Sequence, residues 1–421
     1  VTGVQTCALP ICVRGVTGII PQSIGECRCG LRKQKQTSSQ EELNKMKMNK
    51  WTMGLAAAGV VSLASAAQAE ENSVLTALSS TVISGNVEAS YVGGFSTNNN
   101  LHNDGGFEAN GASISIGSPL GEGDYSAGYN VELLFGDRGE VFGESASYLK
   151  NANIGLNAPF GNGVDLTVGL FDTIVGYEVE ASGANPNVIR SYGYNIEPFS
   201  HTGLLASTTL TDGLSVSAGL TNGFDAAGSA PDNDGHAKLG YLVSAELTAP
   251  DSLGFLAGSS LYVGHVDGNN QNATGAVNDA DDDSLTYVGA SLASPIEGLS
   301  LGLAYDDRTY QSGTEASALA GYAVYQLSDG LNVALRYDTI NIDRVAGGED
   351  NVESLAVTLG YQLWENVLTR LEFGWETGAG AIATEASESL DRFADRAAGK
   401  DIGDSSYFAL NLFYRDRKSV V

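Results

Sequence analysis

Apolar and polar residues alternate with a period of two along most of the chain beyond residue 80. In 124–136, Tyr125, Ala127, Tyr129, Val131, Leu133 and Phe135 fall on one face, and Ser126, Gly128, Asn130 and Glu132 on the other. In 238–249, Leu239, Tyr241, Val243, Ala245 and Leu247 oppose Lys238, Gly240, Ser244 and Glu246. In 367–376, Val367, Leu371, Phe373 and Trp375 oppose Arg370, Glu372 and Glu376. A period of two is that of a strand with one apolar face. Helical spacing is confined to 74–78 and the Ala-rich stretch 386–398.

The breaks between segments alternate as well. Tight Gly, Pro and Asp turns lie at 119–123, 159–163, 211–213, 250–254, 295–298, 328–330 and 364–366. These have hairpin chemistry. Longer polar connections lie at 96–110, 137–144, 172–199, 225–237, 267–284, 311–316, 344–352 and 378–404. Between the breaks stand sixteen predicted strands: 81–95, 111–118, 124–136, 145–158, 164–171, 200–210, 214–224, 238–249, 255–266, 285–294, 299–310, 317–327, 331–343, 353–363, 367–377 and 405–414.

Strands near ten residues long, an even count, short turns at one end and long loops at the other are features of a transmembrane antiparallel β-barrel. Aromatics near strand ends fit interfacial girdles: Phe95, Phe135, Phe160, Phe171, Phe224, Phe255, Tyr310, Trp364, Trp375 and Tyr414. The competing architecture is a secreted, soluble all-β protein. It alternates too, but it needs a second sheet to cover each apolar face, and no blade-length repeat is present. A barrel of about sixteen strands is too wide for side chains to fill. Its polar faces then line an aqueous lumen, where Glu88, Asn130, Glu132, Glu246, Arg336, Asp338, Arg370, Glu372 and Glu376 stay hydrated.

Composition narrows the choice. Residues 1–69 hold all four cysteines, 8 of the 22 basic residues and 3 of the 50 acidic ones. That leaves 14 basic and 47 acidic residues in 70–421, a net charge of −33. Such a balance excludes nucleic acid as a partner, and the absence of cysteine there excludes disulfides and thiolate metal sites. Lys47 and Lys50, the apolar run 53–66 and Ala67-Gln68-Ala69 form a signal peptide over 46–69, cleaved between Ala69 and Glu70. The run is too short for a comfortable membrane anchor. Residues 70–80 are then a short periplasmic lead-in. Residues 1–45 and 416–421 resemble translated sequencing adapter and are expected to be non-native.

The segments 84–93, 124–136, 158–179, 185–207 and 247–264 resemble the OmpL-like β-barrel porin family. The likeness runs from about 81 to 414. It implies a pore in the outer membrane of a Gram-negative bacterium and assigns no catalytic or ligand residue. Outer-membrane barrels usually end on an aromatic in step with the outward face. Phe408, Leu410, Leu412 and Tyr414 set that step, and the next position, Asp416, breaks it; an aromatic is expected there in the intact gene.

Candidate chemistry is sparse. The third long loop, 172–199, carries Asp172, Glu178, Glu180, Arg190, Tyr192, Tyr194 and Glu197. By analogy with general porins it folds inward and narrows the pore; the alternative is a loop resting on the rim. The acidic balance predicts a preference for cations, unless the charge sits only on outer loops. Asp279, Asp281 and Asp283 form a weak Ca²⁺ candidate that lacks EF-hand spacing, so a solvated acidic loop is the plainer reading. His102, His201, His236 and His265 lie singly, no hydrolase or nucleotide motif is present, and neither an enzyme nor a cofactor is expected. The sequence therefore predicts a porin for small hydrophilic solutes or ions, set in outer-membrane lipid. A homotrimer is the assembly that general porins suggest. The rival is a non-conducting barrel serving adhesion or envelope structure.

Overall fold

In a computed structural model of the chain, the alternating segments form sixteen antiparallel strands. They are β1 (Val82–Gly94), β2 (Gly106–Ser118), β3 (Ala127–Phe135), β4 (Ser147–Ala158), β5 (Val164–Asp172), β6 (Ser200–Thr211), β7 (Leu214–Thr221), β8 (Gly240–Thr248), β9 (Ser260–Asp267), β10 (Ser284–Ala293), β11 (Leu299–Thr309), β12 (Glu315–Ser328), β13 (Leu331–Asp343), β14 (Glu349–Trp364), β15 (Val367–Ala379) and β16 (Ser405–Arg415). The structure describes residues 81–95, 106–121, 123–136, 147–225, 239–268, 283–343, 349–379, 405–416 and 419–420. The signal segment with Ala69 and Glu70, the four cysteines, His102, His236, Asp279 and Asp281 lie outside the described residues.

Each strand pairs with the next, and β1 pairs with both β2 and β16. The closing register runs from Asn86↔Arg415 to Gly94↔Tyr407. A two-residue strand, β17 (Ser419–Val420), pairs with the first residues of β1. Closure gives every long strand two neighbours, which satisfies the backbone where no water can. The outward rows carry exposed Val87, Ile154, Leu220, Leu261, Leu335, Leu359 and Leu410. Such a continuous apolar exterior suits lipid and not water. Along β16, Leu410 and Leu412 are 48% and 46% exposed, whereas Asn411 between them is fully buried.

One β-bulge has a consequence for the interior. On β4, Asn151 pairs with Glu132 and Leu149 pairs with Leu133, so Lys150 is an extra residue. A bulge lets two consecutive side chains share a face. Lys150 and Asn151 both turn inward and are buried, while Leu149 stays outward.

Three expectations need correction. The turn at 250–254 is longer than a hairpin turn. It continues into a 3₁₀ segment, Asp251–Leu256, and β9 begins only at Ser260. Gly254, a kink inside that segment, and Gly258, just before β9, hold φ of +62° and +71°, left-handed conformations that favour glycine. Second, Phe171, Phe224 and Tyr310 are not girdle residues. They point inward and are buried, whereas Phe95, Phe160, Phe255, Trp364, Trp375 and Tyr414 are exposed. Phe224 and Tyr310 instead cover the Arg308 guanidinium, 4.2 and 4.1 Å from the ring centroids. Third, the inner wall is not uniformly polar or hydrated. Leu205, Leu242, Val266, Leu285, Tyr287, Ala304, Ala320 and Tyr322 form an inner apolar surface from β6 to β12. Glu88, Glu132, Glu246, Arg336, Asp338, Arg370, Glu372 and Glu376 do face inward, but all are buried.

Candidate functional site

What covers Arg336, Asp338, Arg370 and Glu372 is the connection between β5 and β6. Its base is closed by Thr173 N donating to Phe199 O at 3.0 Å. Between these points the chain turns into the barrel and lies against the inner wall. Two short helical turns stiffen it, a 3₁₀ turn Ser182–Ala184 and α1 (Tyr192–Ile196). Ser191 caps α1 through its hydroxyl, which accepts from Tyr194 N.

Apolar residues at the start of the loop make the first attachment. Ile174 and Val175 pack on the inner apolar surface of β6–β12, and Tyr177 stacks on Tyr322 with ring centroids 4.3 Å apart. Burying each of these side chains contributes about 1.5–3 kcal/mol. Tyr262 OH donates to Ile174 O. Burial, reinforced by the neighbouring Glu178 carboxylate, pushes the Tyr177 phenol up to about 12, so it stays protonated.

Charged wall residues then grip the loop backbone. Arg370 on β15 donates to Ser182 O, Asn185 O and Asn187 O at 3.0, 3.1 and 3.0 Å, and to Ser182 Oγ at 2.6 Å. It also donates to Asn411 Oδ1 at 2.9 Å, while Asn411 Nδ2 donates to Glu88 Oε1 at 2.7 Å. Glu372, one inward step along β15, accepts from Val188 N at 2.6 Å and Ile189 N at 3.1 Å. Thr358 Oγ1 and Tyr407 OH donate to the same carboxylate at 2.6 and 3.1 Å. Asp338 accepts from Tyr192 N at 2.9 Å and from Arg336 Nε at 2.7 Å. Arg336 also donates to Ile189 O and lies 3.8 Å from Glu178 Oε1. Arg308 donates to Ile196 O at 2.9 Å. Charge-assisted bonds of this kind are about twice as strong as neutral ones. They also answer the loop amides and carbonyls that water would otherwise satisfy.

The residues predicted on the loop now have distinct places. Glu178 is buried and accepts from Ser191 N and Oγ at 2.7 and 2.6 Å. Tyr192 is buried in an apolar cluster with Ile196, Tyr310, Ile340 and Val352. Tyr194 is buried 5.3 Å from the Phe199 ring, and Glu197 is buried. Asp172, Glu180 and Arg190 keep partial exposure. Arg190 donates to Glu180 O at 2.8 Å and lies over the Tyr194 ring. Asp283 pairs with Arg308 at 3.5 Å and accepts from Gln311 N at 3.1 Å, which ties it to the wall. The described residues hold no cluster of potential metal ligands.

Lys150, Asn151, Asp306 and Arg308 were not among the sequence candidates. Lys150 Nζ lies 3.1 Å from Glu132 and 2.9 Å from Asp172. Asn151 Nδ2 donates to the same two carboxylates at 3.1 and 3.2 Å. The sequence does carry a signal for this bulge, because outward apolar residues switch from odd parity at Leu149 to even parity at Ile154 and Leu156.

Beneath the loop, toward the short-turn rim, remains a cavity of about 720 Å³. Asn130, Asn151, Asn153, Asp165, Asp172 and Glu246 contribute to its lining, and no Lys or Arg does.

Residues 80–411 match the family described as "Putative beta-barrel porin-2, OmpL-like". The chain belongs to this family of β-barrel porins. No curated protein sequence matches the chain. Among solved structures, OmpF of Salmonella typhi in complex with daunomycin superposes with a TM-score of 0.56 at 16% identity, covering 80% of this chain and 97% of that one. An anion-selective porin from Comamonas acidovorans gives 0.56 at 12% identity, covering 80% and 99%. The trimer form of Vibrio cholerae OmpT gives 0.52 at 12% identity, covering 80% and 99%. At these identities the likeness is one of fold.

Proposed function

We propose that this OmpL-like porin sits in the outer membrane after signal-peptide export and lets small hydrophilic solutes diffuse passively, with a preference for cations. The observation that carries the reading is a closed, lipid-compatible wall around a cavity whose lining bears three carboxylates and no Lys or Arg. The inward loop is the constriction in this reading. Its braces fix the passage size, and half-buried Asp172, Glu180 and Arg190 supply the local field. Lys150 does not reverse the sign, because Glu132 and Asp172 both lie within ion-pair distance of it. A homotrimer belongs to the same proposal.

Refolded protein in planar bilayers tests it. Stable open steps, with a reversal potential favouring potassium over chloride in a salt gradient, are the expected result. Silence favours the rival, a non-conducting barrel for adhesion or envelope structure, to which the dense bracing of the lumen lends some support. Steps with a chloride preference leave a porin and remove the cation selectivity.

A further inference from the structure

The wall of the cavity under the loop has a chemistry beyond its charge. Register places Asn130 opposite Asn153, and Gly128 opposite Gly155. Inward positions along β4 thus read Asn151, Asn153, Gly155, Asn157, and all four line the cavity. Asn153 Nδ2 donates to Leu170 O at 2.8 Å and Asn157 Nδ2 to Asp165 Oδ1 at 2.7 Å, which fixes both amides on the wall. Among the described residues, nothing donates to Asn130 Oδ1 or to buried Asn151 Oδ1. Gly155 interrupts the row of amides. A Cβ built on it meets only the Leu120 side chain, at 3.8 Å, so the glycine opens a notch rather than relieving a clash.

A row of amides around a notch offers both donors and acceptors. A hydroxyl both donates and accepts, so a hydroxyl-rich solute matches such a row. An apolar solute would strand the amides. An anionic solute would meet Asp165, Asp172 and Glu246 and would find no Lys or Arg on the lining to attract it. The volume of about 720 Å³ lies within the range of small-molecule pockets, ~300–1,000 Å³.

We propose that this amide-lined notch is a transit site for neutral, polyhydroxylated solutes of saccharide size, where they dwell briefly before crossing. The proposal rests on the porin reading and names its solute class. The test uses the full-length protein in planar bilayers, with glucose, sucrose and glucuronate as probes. The two neutral sugars are expected to interrupt the ion current in a saturable way, and glucuronate at equal concentration is not. Gly155→Leu fills the notch and is expected to lose the interruptions. Gly321→Leu is the control, on the lipid face where an added Cβ meets nothing within 4 Å, and it keeps them. Asn153→Ala, which removes one amide without adding bulk, is expected to shorten the dwell and covers the case in which Gly155→Leu fails to fold. Open channels whose current changes with sugar only as bulk conductivity does overturn the site and leave the porin standing. So do interruptions that persist in Gly155→Leu and Asn153→Ala, or that glucuronate produces equally. No current under any condition removes the porin reading, and the site with it.

Discussion

Arg370 gives its guanidinium to five acceptors, three of them loop carbonyls, and is almost fully buried. Arg370→Met keeps much of the volume but leaves those carbonyls unmet, and removes the cation 3.9 Å from Glu88. Breaking a buried charged network from one side costs about 3–5 kcal/mol. The folded band on a non-boiled denaturing gel is therefore expected to melt at a lower temperature, and the loop to become a protease site. A variant as heat-resistant and protease-resistant as the parent would contradict the bracing role. Lys150 makes a different prediction, because it is an inward cation paired with the cavity acid Asp172 and with buried Glu132. Lys150→Met leaves two uncompensated carboxylates, so cation preference in a salt gradient is expected to rise. These two residues differ in how legible they were. Arg370 sits in unbroken alternation with Leu371 and Phe373, and its inward face could be read directly. Lys150 is displaced by the bulge, and only the parity switch between Leu149 and Ile154 records it.

At the scale of elements, the strands were legible because lipid and backbone pairing both enforce a period of two. Leu410 lies outward at mid-strand, paired with Leu371 on one side and Tyr91 on the other. Leu410→Arg is expected to cost about 2–4 kcal/mol of barrel stability, the usual penalty for arginine near the bilayer midplane. Urea titration of refolding into lipid vesicles measures it, and Leu410→Ile should stay near the parent. The loop's destination was less legible. Its charges suggested the constriction, but its first anchor is the apolar inner surface built from Leu205, Leu242, Val266 and Leu285. On a strand, an inward Leu looks like a defect in alternation unless the partner that covers it is already known. Here the partner is Ile174 and Val175, arriving from another part of the chain. Deleting residues 182–188 removes most of what Arg370 and Glu372 hold. Larger conductance steps are expected, and unchanged conductance would mean that the loop does not limit the pore.

For the whole molecule, the net charge of −33 over residues 70–421 says little by itself about selectivity. Most of that charge is spread over the described residues rather than gathered at the cavity, and exposed charges act only within a screening length of the ion's path. That length is about 10 Å at 0.1 M salt and about 3 Å at 1 M. The acids within reach of a permeating ion at the cavity are Asp165, Asp172 and Glu246. Two origins of cation preference can therefore be separated. If the cavity acids set it, then Asp165→Asn combined with Asp172→Asn and Glu246→Gln should move the reversal potential toward the unselective value. The preference of the parent should then survive in 1 M salt, because the ion passes within a few ångströms of these groups. If the outer loops set it by concentrating cations at the mouth, the triple variant should match the parent at 0.1 M, and both should lose selectivity together at 1 M. Measuring reversal potentials for parent and variant at both salt concentrations decides between them. The cavity assignment predicts a difference between the two proteins that persists as the salt rises.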